Sequence, residues 1–88
     1  MVRVTAVHLE GGHRREHIAS VQWVNPQRND HGQSTRAEMV TWLRQPGSAI
    51  VSDTNRTVDV GVVDATPPCI RTYADGVWTD NLLALPRY

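Results

Sequence analysis

Residues 35–47 read TRAEMVTWLRQPG, Thr35 to Gly47, and this stretch decides the fold class. Thr35-Arg36-Ala37-Glu38 has the spacing of a capping box: the threonine hydroxyl can accept the N–H of Glu38, and the Glu38 carboxylate can reach back to the N–H of Thr35. Met39, Val40, Trp42 and Leu43 fall on one broad helical face, and Glu38, Thr41 and Gln45 on the other. Pro46-Gly47 is a stop signal. The residues before and after lack this period. They alternate with period two, so one helix lies among strands.

On the N-terminal side, Val2 to Leu9 is valine-rich and alternates loosely, and Gly11-Gly12 ends it. Ile18 to Val24 (IASVQWV) reads as a second strand, antiparallel to the first, with Val21 and Trp23 on one face and Ile18 and Val24 on the other. Asn25 to Ser34 (NPQRNDHGQS) is polar throughout and reads as a loop.

On the C-terminal side, Ala49 to Ser52 is a short strand and Asp53-Thr54-Asn55 a turn. Thr57 to Val63 alternates cleanly, with Val58, Val60 and Val62 on one face. Cys69 to Ala74 is a strand. Asp75-Gly76 is a hairpin turn signal, and Val77 to Thr79 returns. The expectation is a single α+β domain over residues 1–88: a mostly antiparallel sheet of five to six strands with one helix, in the order β-β-α-β-β-β.

Composition narrows the function classes. The 88 residues carry nine basic and nine acidic groups, a formal net charge of zero. A uniformly basic nucleic-acid binder shows a positive excess instead. All nine basic residues are arginine. Arginine codons are GC-rich and lysine codons AT-rich, which points to a high-GC genome such as an actinobacterium or one of its phages. Cys69 is the lone cysteine, so neither a disulfide framework nor a cysteine metal cluster is available. MVRVTAVHLE lacks an apolar core of signal-peptide length, and no run is long enough to span a membrane. A cytoplasmic location is expected, in the host if the chain is phage-encoded. The sequon Asn55-Arg56-Thr57 has no consequence there.

His13-Arg14-Arg15-Glu16-His17 spells H-x-x-E-H, the inverted zinc-protease pattern. That chemistry needs both histidines on one face of a helix, a third ligand and a cleft. Two glycines precede the motif and a β pattern follows at once, so there is no room for the helix. His8, His13 and His17 read as ordinary loop and strand-end residues. No metal site, cofactor or catalytic residue is expected, and the chain is read as a non-enzyme.

The stretch Ile70 to Pro86, IRTYADGVWTDNLLALP, is the most distinctive. Ile70, Arg71, Thr72, Ala74, Asp75, Asp80, Asn81, Leu82, Leu83, Leu85 and Pro86 resemble a motif of a family of short bacterial and phage proteins of unknown function (domain of unknown function three-eight-nine-two). In that family a Tyr-Ile-Arg-Thr strand precedes an Ala-Asp turn and Asp-Asn-Leu-Leu-x-Leu-Pro; Cys69 stands where the aromatic residue usually does. The resemblance implies the same order of strands and a Ser/Thr-capped helix. It implies no activity, ligand or catalytic residue.

Two surfaces are candidates for binding. Arg71, Tyr73, Trp78 and Asp80 combine the residue types that dominate interaction hot spots, and they point to a non-catalytic interaction or accessory module with a protein partner. Much of the same motif can be structural, with Arg71 pairing Asp75 or Asp80 and Asp80 capping the turn after it. Alternatively, Arg14, Arg15, Arg28 and Arg36 form a basic patch near the first loop and the helix N-terminus, where an anion or a nucleic-acid backbone would sit. Met1 to Leu9 and Ala49 to Ser52 carry little charge. As bare sheet edges they would favour pairing in a two-fold homodimer.

Overall fold

A computed structural model of the chain describes residues 1–45, 47–52, 57–74 and 76–88. Seven strands and one helix follow in the order β1 (Val2–Leu9), β2 (Ile18–Asn25), β3 (Asp30–Thr35), α1 (Arg36–Arg44), β4 (Ala49–Ser52), β5 (Thr57–Val63), β6 (Cys69–Ala74) and β7 (Val77–Thr79). Single 3₁₀ turns occupy Arg15–His17 and Asn81–Ala84. All seven strands join one sheet in the order β3-β2-β1-β4-β5-β6-β7. The turn at Asp53-Thr54-Asn55, the stop at Pro46 and the Asp75 half of the hairpin signal lie outside the described residues, as do Asn55 and Arg56 of the sequon.

The class is α+β as expected, but the sheet is larger and mixed. The polar stretch expected as a loop contains β3, paired antiparallel with β2 from Ser20↔Thr35 to Asn25↔Asp30. DHGQST shows no hydrophobic alternation because Trp23 supplies the apolar cover. The indole lies across Gly32, and its Nε1 donates to Ser34 Oγ at 3.0 Å. Only Asn25–Asn29 turns: Gln27 N–H donates to Asn25 Oδ1, Arg28 N–H to Asn25 O, and Asn29 takes φ 51°.

This third strand also explains the parallel pair. The chain enters α1 running in the direction of β1. The helix carries it back across the sheet face, and β4 then starts beside β1 and parallel to it, through Val2↔Ala49 and Arg3↔Ile50. Every other strand pairing is antiparallel.

One face of the sheet packs on α1. Val4, Val7, Ile18, Val21, Val51, Val58, Val60 and Ile70 are buried there with Met39 and Val40 of the helix. Irregular steps in the β1–β2 register, between Val4 and Ala6 and between His8 and Leu9, shift the alternation by one residue. They bring Val7 inside after Val4, and Ile18 inside beside Val21, correcting the expectation that Ile18 and Val21 face opposite ways. Trp42 is likewise not a core residue. It is 41 % exposed and leans over Gly47, while Leu43 is half-buried.

The edges differ from expectation too. β1 and β4 are interior, with β2 and β4 flanking β1. Beyond the short β4, the chain end completes the same side of β1: Val7 N–H donates to Pro86 O, and Tyr88 N–H to Val7 O. The outer strands are β3, which is polar, and β7, which is three residues long. β1 and β4 therefore offer no bare edges through which a homodimer could pair.

The capping box forms as read. Thr35 N–H donates to Glu38 Oε1 at 2.8 Å, and Glu38 N–H to Thr35 Oγ1 at 3.2 Å. Replacing Thr35 with alanine should cost about 1 kcal/mol in a denaturant titration. The backbone hydrogen bond from Thr35, then the one from its hydroxyl, holds the Glu38 carboxyl below its ordinary value of 4.5. A depressed carboxyl stabilises the fold above its unfolded pKa and loses that contribution as pH falls through the folded one. Stability should therefore decline as pH drops below about 4.5, and Glu38→Gln should flatten part of that decline. An unchanged acid limb in the variant would count against the capping role.

Candidate functional site

The β6–β7 hairpin brings the four partner-binding candidates together. Ile70 and Thr72 of β6 point into the core, so Arg71 and Tyr73 stand on the opposite, outer face. Tyr73 pairs across the ladder with Trp78, and their rings meet edge to face with centroids 5.3 Å apart. Trp78 also lies over Gly61 of β5, where an added Cβ would come within 3.2 Å of the indole. Both aromatic residues remain more than one-third exposed, and Val77 beside them is 61 % exposed.

Arg71 Nε donates to Thr79 O at 3.1 Å and to Asp80 Oδ1 at 3.2 Å. Asp80 therefore does not cap the following turn with its side chain. Its carboxylate serves Arg71, and its backbone carbonyl accepts the N–H of Leu83. The pairing of Arg71 with Asp75 lies outside the described residues. Charge is thus spent on fixing the hairpin, and the aromatic pair is what the surface offers.

Sequence reasoning missed Thr72. It is fully buried, and its Oγ1 donates to Thr79 O at 2.9 Å while accepting from Thr79 Oγ1 at 2.7 Å and from Asn81 N–H at 2.9 Å. The available signal was a threonine on the inward side of β6 facing a second threonine across the hairpin.

The arginine patch is not assembled as a unit. Arg14 and Arg15 sit in the β1–β2 connection, and Arg36 joins them by donating from Nη1 to Glu16 O at 2.7 Å. Arg28 lies in the β2–β3 turn, at the other end of the eight-residue strand β2. The eight residues of a strand span ~25 Å. Around Arg36 opens a cleft of about 620 Å³ that also holds Glu10, Glu16 and His17. The helix N-terminus beside it is already occupied by the Glu38 carboxylate.

Of the H-x-x-E-H residues, Arg15–His17 form a single 3₁₀ turn, preceded by Arg14 in extended conformation, and not a zinc-binding helix. His17 Nδ1 accepts the N–H of Arg14 at 3.2 Å, and its ring rests against Gly12. His8 faces the chain end, with Nδ1 2.7 Å from Tyr88 O, and its other ring nitrogen lies 3.3 Å from Glu10. Among the described residues, no three His, Cys, Asp or Glu side chains come close enough together to hold a metal ion. No described helix is long and apolar enough to cross a membrane.

The family described as Protein of unknown function (DUF3892) matches residues 3–86. The chain belongs to that family. The DUF3892 match runs from β1 through Pro86, so the Asp-Asn-Leu-Leu-x-Leu-Pro ending is part of the family domain. No curated protein and no solved structure matches the chain.

Proposed function

We propose that this DUF3892 protein is a non-catalytic interaction module that docks an extended segment of a partner protein along β7. The observation that carries the reading is the Tyr73–Trp78 pair. Its Trp78 ring is seated over Gly61, both rings are exposed, and Trp78 belongs to an edge strand of the sheet. A sheet edge supplies main-chain hydrogen bonds to an added strand, and flanking side chains supply affinity. Tyr and Trp lose little conformational entropy on binding and dominate hot spots.

Selection of linear peptides against the immobilised protein tests this. Bound peptides should shift amide resonances of Val77 to Thr79, and Trp78→Ala should weaken them about thirtyfold or more, the scale of a 2 kcal/mol hot spot. Peptides that bind the Tyr73→Ser/Trp78→Ser variant equally well, while it remains folded, would refute the proposal. A solution mass of twice 9.8 kDa that collapses in the same variant would assign the hairpin to a second copy of the chain instead.

The nucleic-acid reading retains Arg14, Arg15 and Arg36 and loses Arg28. It requires binding that weakens steeply with salt. The glutamates sharing the Arg36 cleft make it the less supported of the two.

A further inference from the structure

A second recess, of about 240 Å³, opens between α1 and the end of the sheet where β2 turns into β3. Trp23, Trp42 and Met39 supply its apolar walls, and Arg28, Asp30 and Glu38 stand around it. Both indoles pack closely on a glycine. An added Cβ would lie 2.6 Å from Trp23 Cζ2 at Gly32, and 2.4 Å from Trp42 Cε2 at Gly47. Trp23 Nε1 is tied to Ser34 Oγ, and Trp42 Nε1 donates to Ser48 O at 3.4 Å. Each ring is thus held at its body by a glycine seat and at its tip by a hydrogen bond. Trp42 nevertheless stays substantially exposed, unlike an aromatic used only to fill a core.

Size and charge select the ligand class. The recess is smaller than the ~300–1,000 Å³ of sites for drug-sized molecules, so it accommodates a head group. Two carboxylates against one guanidinium leave a single net negative charge around the aromatic walls. The face of an indole attracts cations through its quadrupole, more strongly than the other aromatic side chains do. Anions are opposed by the rings and by the carboxylates alike.

We infer that this recess binds an alkylated ammonium group, with Trp23 and Trp42 as its aromatic walls and Asp30 and Glu38 as counter-charges. Arg28 opposes the ligand and keeps the affinity modest. The site is separate from the β6–β7 hairpin, so its success or failure does not bear on the docking proposal.

The three indole N–H resonances give a site-resolved test. Tetramethylammonium and choline should shift the Trp23 and Trp42 signals saturably and leave Trp78 unmoved. The neutral choline isostere 3,3-dimethylbutanol should do nothing at equal concentration. Asp30→Asn should weaken binding about threefold and Arg28→Ala should tighten it about threefold, as expected for single charges at a solvated rim. A peptide bearing trimethyllysine that binds more tightly than choline would mark a protein side chain as the source. Equal or better binding of choline would mark a free small cation. Equal shifts with the neutral isostere, weaker binding in Arg28→Ala, or no saturable shift with any of the cations would overturn the proposal.

Discussion

Leu82→Ala should lower the unfolding free energy by about 3 kcal/mol, within the ~2–5 kcal/mol range for truncating a buried leucine. Leu82 is 2 % exposed and belongs to the main hydrophobic cluster, although it lies in a 3₁₀ turn near the end of the chain. The turn brings the chain from β7 to β1, where Pro86 and Tyr88 complete the hydrogen bonding of Val7. Loss of the leucine anchor removes apolar contact and also loosens the segment that closes β1. For a domain of this size, the melting temperature should fall by about 12–24 °C. Thermal unfolding followed by circular dichroism measures it directly. A drop of only a few degrees would mean that the chain end is an accessory flap and not part of the folding unit.

Thr72→Val should cost about 2 kcal/mol, although valine matches threonine in shape and is more apolar. The substitution removes one donated and two accepted hydrogen bonds from the centre of a buried network. It leaves Asn81 N–H, the Thr79 hydroxyl and the Thr79 carbonyl each short of a partner. Thr72→Ser keeps the hydroxyl and should recover most of the loss in a urea titration. A valine variant as stable as the parent would show that water replaces the network without penalty. The result bears on the proposed docking surface because Thr79 O also receives Arg71 Nε, so the same network sets the position of β7 and of Trp78.

Much of this fold was legible because burial leaves a period in the sequence. Val58, Val60 and Val62 announced β5, and Thr35 with Glu38 announced the start of α1. The strand that was missed, β3, owes its inward cover to a tryptophan on its neighbour; Gly32 and Ser34 record the accommodation of an indole, which no count of apolar residues detects. The misplacement of Ile18 has a different cause. Irregular ladder steps shift the inward set by one residue, and such steps depend on the partner strand. The hairpin candidates were found because residue types and a turn signal placed them close in sequence. The arginine patch was drawn from loops whose relative positions only the sheet determines, and Arg28 fell at the wrong end of β2. The Trp23–Trp42 recess joins β2 to α1 through two glycine seats, a relation invisible until both elements are placed.

The closure of β1 by the last few residues bears on how quickly the molecule can be made. His8 and Tyr88 are 80 residues apart in sequence yet in contact. The interior strand β1 acquires its full complement of partners only when β4, reached by the crossover helix, and residues 86–88 have both arrived. Chains dominated by such distant pairings fold in roughly milliseconds to seconds, against microseconds for helical bundles of similar size. Until then β1, with Val4 and Val7, stands as an apolar strand with one flank open, so the interval before closure is when this chain is most exposed to misassociation.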